Sequence, residues 1–106
     1  IKIAVLNNNN LGMVRQWQTL FYQQRYSGSE LSPTTPDFVK LAEAMGCVGL
    51  RAEHPSEVGP VIEKSLTIND RPVIVDFRVD PDEMVFPMVP AGGSNDNVAL
   101  SLEDLQ

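Results

Sequence analysis

The sequence is 106 residues long and carries a net charge of −6, with eight Lys and Arg against fourteen Asp and Glu. At 42% hydrophobic and 21% charged residues it describes a globular segment, one domain or part of one, and excludes disorder. The cations are scattered and outnumbered, which excludes a nucleic-acid backbone as partner; no apolar run approaches the roughly 20 residues of a membrane helix. Cys47 is the single cysteine and makes no internal disulfide, which suits a reducing compartment: cytoplasmic, or plastid or mitochondrion in a eukaryote.

Residues 1–6, Ile1-Lys2-Ile3-Ala4-Val5-Leu6, are almost all apolar and predict a strand buried on both faces. A chain rarely begins inside such a strand, so Ile1 is expected to be a truncation point. Asn7 to Asn10 form a polar turn. A helix is expected from Leu11 to Gln24, with Leu11, Val14, Trp17 and Phe21 on one apolar face. Residues 25–35, rich in Ser, Thr, Gly and Pro, are a loop. Thr35 is expected to cap the next helix, with Pro36 at its first position, Phe38, Leu41, Ala42 and Met45 on one side, and Gly46 at its end.

Cys47 to Arg51 is a short strand. Ser56 is expected to cap a further helix, with Glu57 in its first turn, Pro60 early enough to be tolerated, and Val61, Ile62, Leu66 and Ile68 buried. Asn69-Asp70 turn the chain into a third strand, Pro72 to Val79. From Asp80 to Gly93 the chain is partly apolar without a period, as expected of a segment that packs over a site or a partner. Val98 to Leu105 predict a short terminal helix. Strand and helix alternate and the strands are apolar, so the fold class is α/β, a parallel sheet with right-handed βαβ crossovers. In such sheets ligands bind beyond the carboxyl ends of the strands, where Asn7 to Asn10 and the tail lie.

The four asparagines have two readings. An amide oxygen suits a hard cation such as Mg²⁺ when other groups supply the charge; Asn is equally favoured in a polar turn before a helix. The neighbouring residues bear on the choice. Asn7 to Tyr22, with Gly12-Met13-Val14-Arg15-Gln16-Trp17-Gln18-Thr19-Leu20-Phe21-Tyr22, followed by Arg25-Tyr26-Ser27, resembles the catalytic subunit of acetolactate synthases. So do Pro36-Asp37-Phe38, Lys40 to Gly46, and Pro87-Met88-Val89-Pro90-Ala91-Gly92-Gly93. The resemblance spans roughly residues 1–95. It implies that 1–95 are a partial thiamine-diphosphate-binding domain without its front half, followed by a polar C-terminal tail at 96–106.

The resemblance also implies roles. Asn8 matches the second Asn of a motif that opens with Gly-Asp-Gly, and it holds the Mg²⁺ of the diphosphate. Asn10 matches the position whose backbone carbonyl completes the metal shell. Gly12 lets backbone approach the cofactor, with Met13 beside it. Met13, Val14 and Trp17 match residues that line the substrate channel and touch herbicidal inhibitors; Ala91 and Gly92 match tail positions near its mouth. The implied reaction joins pyruvate, after decarboxylation, to a second 2-keto acid (pyruvate or 2-ketobutyrate) in branched-chain amino-acid biosynthesis. Thiamine diphosphate and Mg²⁺ are the implied cofactors, with FAD on a domain absent here, in a homo-oligomer that can pair with a regulatory subunit.

Departures limit this. The Gly-Asp-Gly half is absent, and so is the glutamate that activates the aminopyrimidine; no residue of the segment is expected to act as acid or base, and the isolated segment is expected to be inactive. Two alternatives remain: another thiamine-diphosphate-dependent decarboxylase or carboligase, which would share Asn8 but lack Trp17 and the Pro-Met-Val-Pro-Ala-Gly-Gly tail, and a non-catalytic α/β module. Elsewhere plainer readings are preferred. His54 stands in a solvated turn, Cys47 is a small core residue, Asp80, Asp82 and Glu83 form an acidic surface turn, and Trp17, by spacing alone, belongs to the core.

Overall fold

The computed structural model describes residues 1–32 and 34–105. The elements in chain order are β1 (Lys2–Asn7), α1 (Gly12–Phe21), α2 (Phe38–Ala44), β2 (Val48–Ala52), α3 (Pro55–Thr67) and β3 (Val73–Arg78), with a 3₁₀ turn at Glu103–Leu105. All three strands are parallel, in the order β1-β3-β2. The expected parallel α/β sheet is therefore present, and β3 takes its centre. Its Val-Ile-Val core of β-branched residues suits a strand covered from both sides, and Val73 and Val75 are buried.

β1 does not match the expectation of a doubly buried strand. It lies at the sheet's edge, with Ile3 and Leu6 41% and 74% exposed. An apolar run records a demand for cover; which strand receives it depends on the order of pairing, and here β3 pairs on both sides.

The helices that pack on the sheet are α2 and α3. α2 begins two residues later than expected. Asp37 caps it, its carboxylate accepting from the Val39 and Lys40 amides at 3.1 and 3.3 Å, so Thr35 and Pro36 lie outside. The Lys40 amide, followed by the Arg51 guanidinium, holds the Asp37 carboxyl below its ordinary value. Gly46 ends the helix as expected, in the left-handed region at φ 75°, where a side chain would be strained. β2 then runs one residue later than predicted, and Gly49 is its point of contact with α2. A methyl there would meet the Val39 carbonyl oxygen at 2.6 Å.

α3 is capped by His54, not Ser56. Proline at the first helical position sacrifices no hydrogen bond, so Pro55 draws the start of the helix forward. The Glu57 carboxylate folds back to accept from the Glu53 and His54 amides at 2.7 and 3.0 Å. Its buried face is also not as expected: Ser65 is covered, Val61 and Ile68 are half-buried, and Ile62 and Leu66 are exposed. Pro60 is accommodated inside the helix.

α1 stops at Phe21 rather than Gln24, because Gln23 and Gln24 turn to left-handed backbone at φ 54° and 57°. Its apolar stripe is not the covered side. Leu11, Val14 and Phe21 are exposed, and the buried residue is Gln16. The reason is what lies against it. The tail crosses this side, and its backbone requires hydrogen bonds. The Gln16 amide supplies them, accepting from the Val85 amide at 2.8 Å and donating to the Val85 carbonyl at 3.1 Å. Further along the tail, Met88 and Ala99 pair as an antiparallel bridge with both side chains buried. That pairing keeps residues 98–100 extended and reduces the expected terminal helix to its last turn, Glu103–Leu105.

Candidate functional site at the asparagine turn

Asn7 is the last residue of β1 and is buried, so the polar turn begins inside the strand. Its side-chain oxygen accepts from the Asn9 amide at 3.0 Å, and the Asn8 side-chain oxygen accepts from the Asn10 amide at the same distance. The Asn10 side chain donates back to the Asn8 carbonyl at 2.7 Å. Asn9 between them has left-handed backbone, φ 59°, which Asn tolerates better than most residues. These nested side-chain turns give the four asparagines a local reason beyond polarity. The loop at 29–31 then pins the turn, with Leu31 N to Asn9 O at 2.9 Å and Leu11 N to Ser29 O at 2.8 Å.

The turn opens on a polar cleft of about 360 Å³ whose walls include Asn8, Asn9, Asn10, Arg15, Glu30 and Asp82. Gly12 stands behind it. A methyl at Gly12 would meet the Asn8 side-chain nitrogen at 2.9 Å, so the missing side chain makes room for Asn8. Arg15 crosses the cleft to the tail, its Nη1 donating to Asp82 at 2.9 Å and to the Pro81 carbonyl at 3.1 Å, and its guanidinium lies 4.8 Å from the Tyr26 ring centre. The two acidic residues of the cleft, Asp82 and Glu30, are thus both turned toward Arg15.

As donors for a cation the turn offers neutral oxygens. Asn8 Oδ1 takes one hydrogen bond and retains a second acceptor position, and the Asn10 carbonyl accepts none among the described residues. Two such oxygens fit part of the shell of a hard, oxygen-seeking ion such as Mg²⁺, which usually keeps waters and phosphate oxygens in its other places. Among the described residues no three His, Cys, Asp or Glu side chains converge to hold a metal by themselves.

A second cavity, on α1, is an apolar groove of about 470 Å³ formed by Met13, Val14, Trp17, Gln18 and Tyr22, none of which lines the polar cleft. Trp17 meets Phe21 edge to face, 5.3 Å between ring centres. The structure therefore brings Met13, Val14 and Trp17 together, on the helix that follows the turn of Asn8 and Asn10. It does not bring Ala91 and Gly92 to the groove's lining. They occupy an exposed turn of the tail, closed by Gly93 N to Pro90 O at 2.9 Å and held by the nearby Met88–Ala99 pair.

One feature of the site escaped the sequence reading. Asp76, in the middle of β3, is fully buried between Asn7, Arg51 and Arg78. A carboxylate inside Val73-Ile74-Val75-Asp76-Phe77 was the available signal, because a charge in a central strand demands partners.

The chain belongs to the thiamine pyrophosphate enzymes: the family of their C-terminal TPP-binding domain matches residues 1–77, from β1 almost to the end of β3. Within that class it is similar to acetolactate synthases. It is 59% identical over 101 residues to the acetolactate synthase of Mycobacterium leprae and 60% identical over 102 residues to that of Mycobacterium avium, in each case over 92% of this chain and 16% of the relative. With the acetolactate synthase large subunit of Corynebacterium glutamicum it shares 54% over 105 residues, 96% of this chain and 17% of the relative. The chain thus spans about one sixth of the length of these relatives. No helix among the described residues is long and apolar enough to cross a membrane.

Proposed function

We propose that this chain is the C-terminal part of the TPP-binding domain of an acetolactate synthase large subunit, with residues 1–95 in the domain and 96–106 as a polar tail. The full-length enzyme condenses pyruvate, after decarboxylation, with pyruvate or 2-ketobutyrate, an early step of branched-chain amino-acid biosynthesis. The observation that carries this reading is the asparagine turn: Asn8 Oδ1 and the Asn10 carbonyl stand at the carboxyl end of a parallel strand, beside one cleft, in a chain of this family. There they would hold the Mg²⁺ that binds the diphosphate. Bound thiamine diphosphate supplies an electron sink for the carbon–carbon chemistry.

The chain's own residues bind, orient and exclude water. Met13, Val14 and Trp17 form an apolar wall on the helix that leaves the turn, which would suit a 2-keto acid's hydrocarbon end and would keep water from the reacting carbon. Ala91 and Gly92 complete the channel mouth once the tail and the rest of the enzyme close over it. No side chain of the cleft is assigned proton transfer; Asp82 and Glu30 are engaged by Arg15. FAD and the aminopyrimidine-activating glutamate belong to other parts of the full-length protein, which forms a homo-oligomer. The designation of the Corynebacterium relative as a large subunit supports a smaller, regulatory companion.

The test is Asn8→Ala in the full-length enzyme. Removing a neutral ligand from a near-octahedral site is expected to weaken thiamine diphosphate binding about tenfold or more at limiting Mg²⁺. Calorimetric titration of both proteins at low Mg²⁺ reads this directly. Equal affinities would reduce Asn8 to a turn former.

A further inference from the structure

Asp76 is 0% exposed in the central strand, and its two oxygens serve different neighbours. Oδ1 accepts from Asn7 Nδ2 at 2.9 Å. Oδ2 faces Arg51 Nε at 3.0 Å and Arg78 Nε at 3.3 Å. Arg78 then reaches on, its Nη1 donating to Asn9 Oδ1 at 3.0 Å. Asn7 Oδ1 meanwhile accepts from the Asn9 amide at 3.0 Å. Four of these five contacts, all but that of Arg51, close a ring, Asp76 to Asn7 to Asn9 to Arg78 and back. One buried carboxylate therefore grips both residues that flank Asn8, the one before it through its amide and the one after it through an arginine.

Burying a carboxylate is costly unless it is paired and hydrogen-bonded, and here every partner it has leads to the turn or, through Arg51 and Asp37, to the start of α2. A plain polar turn has no need of such an anchor, since nested asparagines close it already. A metal ligand does need one, because Mg²⁺ accepts little distortion and groups that orient its ligands weigh heavily on affinity. We infer that Asp76 and Arg78, acting through Asn7 and Asn9, are positioning residues that set the backbone of Asn8 and Asn10 for Mg²⁺. This rests on the reading of the turn as the Mg²⁺ site. It also assigns a task to Asn7 and Asn9, which that reading leaves unused.

The experiment compares four variants of the full-length enzyme by calorimetric titration with thiamine diphosphate at limiting and at saturating Mg²⁺. Asn9→Gly removes the amide that Arg78 holds but keeps a residue at ease in left-handed backbone. Arg78→Lys keeps the charge beside Asp76 but loses the fork that reaches two partners at once. Each is expected to bind thiamine diphosphate about tenfold more weakly at limiting Mg²⁺ and to recover as Mg²⁺ saturates. The double variant is expected to be no weaker than the worse single one, because both cut the same link. Asn8→Ala is the control. If Asn8→Ala loses affinity while Asn9→Gly and Arg78→Lys keep it, or if their losses add, the positioning role is overturned and the metal site stands. If Asn8→Ala also keeps its affinity, the metal reading falls and takes this inference with it. Should Arg78→Lys fail to fold, Asn9→Gly decides alone, as it alters only one side chain of a surface turn.

Discussion

Gly49 shows how much a single missing side chain can organise. Its Cβ position is already occupied: a methyl there would meet the Val39 carbonyl oxygen, Cα and Cγ1 at 2.6, 2.8 and 2.9 Å. Two of these are backbone atoms, which cannot rotate away, so α2 as a whole would have to lift from β2. Gly49→Ala is therefore expected to destabilise the protein by about 1–3 kcal/mol, as overpacking does elsewhere. Urea unfolding of the full-length enzyme would read it as a lower midpoint at unchanged slope. An unaltered midpoint would mean that α2 does not bear on Gly49. Gly12 has the same logic toward Asn8, but there the near atom is a side-chain nitrogen. At this scale the sequence was partly readable. Asn8 and Gly12 stood out through resemblance; Asp76 and Gly49 did not, because their meaning lies in residues far along the chain.

Among the elements, α1 is the clearest case of a pattern that was real and yet misjudged. Its apolar stripe exists, but the covered side is the polar one, fastened to the tail through Gln16. Two hydrogen bonds to the Val85 backbone contribute about 0.5–1.5 kcal/mol each. Gln16→Leu is therefore expected to accelerate amide exchange at Val85 by about tenfold or more, while amides of β3 keep their protection. Exchange at Val85 as slow as in the wild type would show that the tail is held by other contacts, the Met88–Ala99 bridge first among them. The helix starts teach a related lesson. Asp37 and His54 cap α2 and α3, whereas Thr35 and Ser56 are equally plausible from residue type. The choice falls to neighbours: Arg51 holds Asp37 at 2.7 Å, and Pro55 places the first turn of α3.

Taken as a whole molecule, the 106 residues leave much of their apolar surface without cover. Among the described residues six apolar ones are buried, and three of these are alanines. The accessible surface is 7357 Å², against roughly 5,900 Å² for a compact monomer of this mass. The radius of gyration is 17.3 Å, against about 13 Å for a compact chain of this length. Ile3 and Leu6 of β1, Leu11 just before α1, Met13 and Val14 of α1, and Ile62 and Leu66 of α3 all stand exposed. The segment by itself is expected to unfold with little cooperativity, to bind an apolar dye, and to form no acetolactate from pyruvate when thiamine diphosphate, Mg²⁺ and FAD are added. A sharp thermal transition or measurable product would contradict this.

The alternation of strand and helix, the parallel sheet and the place of the asparagine turn at a strand's carboxyl end followed from the sequence alone, because they depend on local periodicity and on the few ways apolar strands can be joined. So did the end of α2 at Gly46, which depends on one residue's backbone freedom. Tertiary structure alone decided that β3 is central and β1 an edge, since strand order turns on pairings between residues some 70 positions apart, such as Val5 with Asp76. It alone decided which face of α1 is covered, because periodicity states what a helix could bury and never what lies against it. It also alone revealed the grip of Asp76 on Asn7 and, through Arg78, on Asn9. A buried charge takes its partners from wherever the fold brings them, and distance along the chain does not record that.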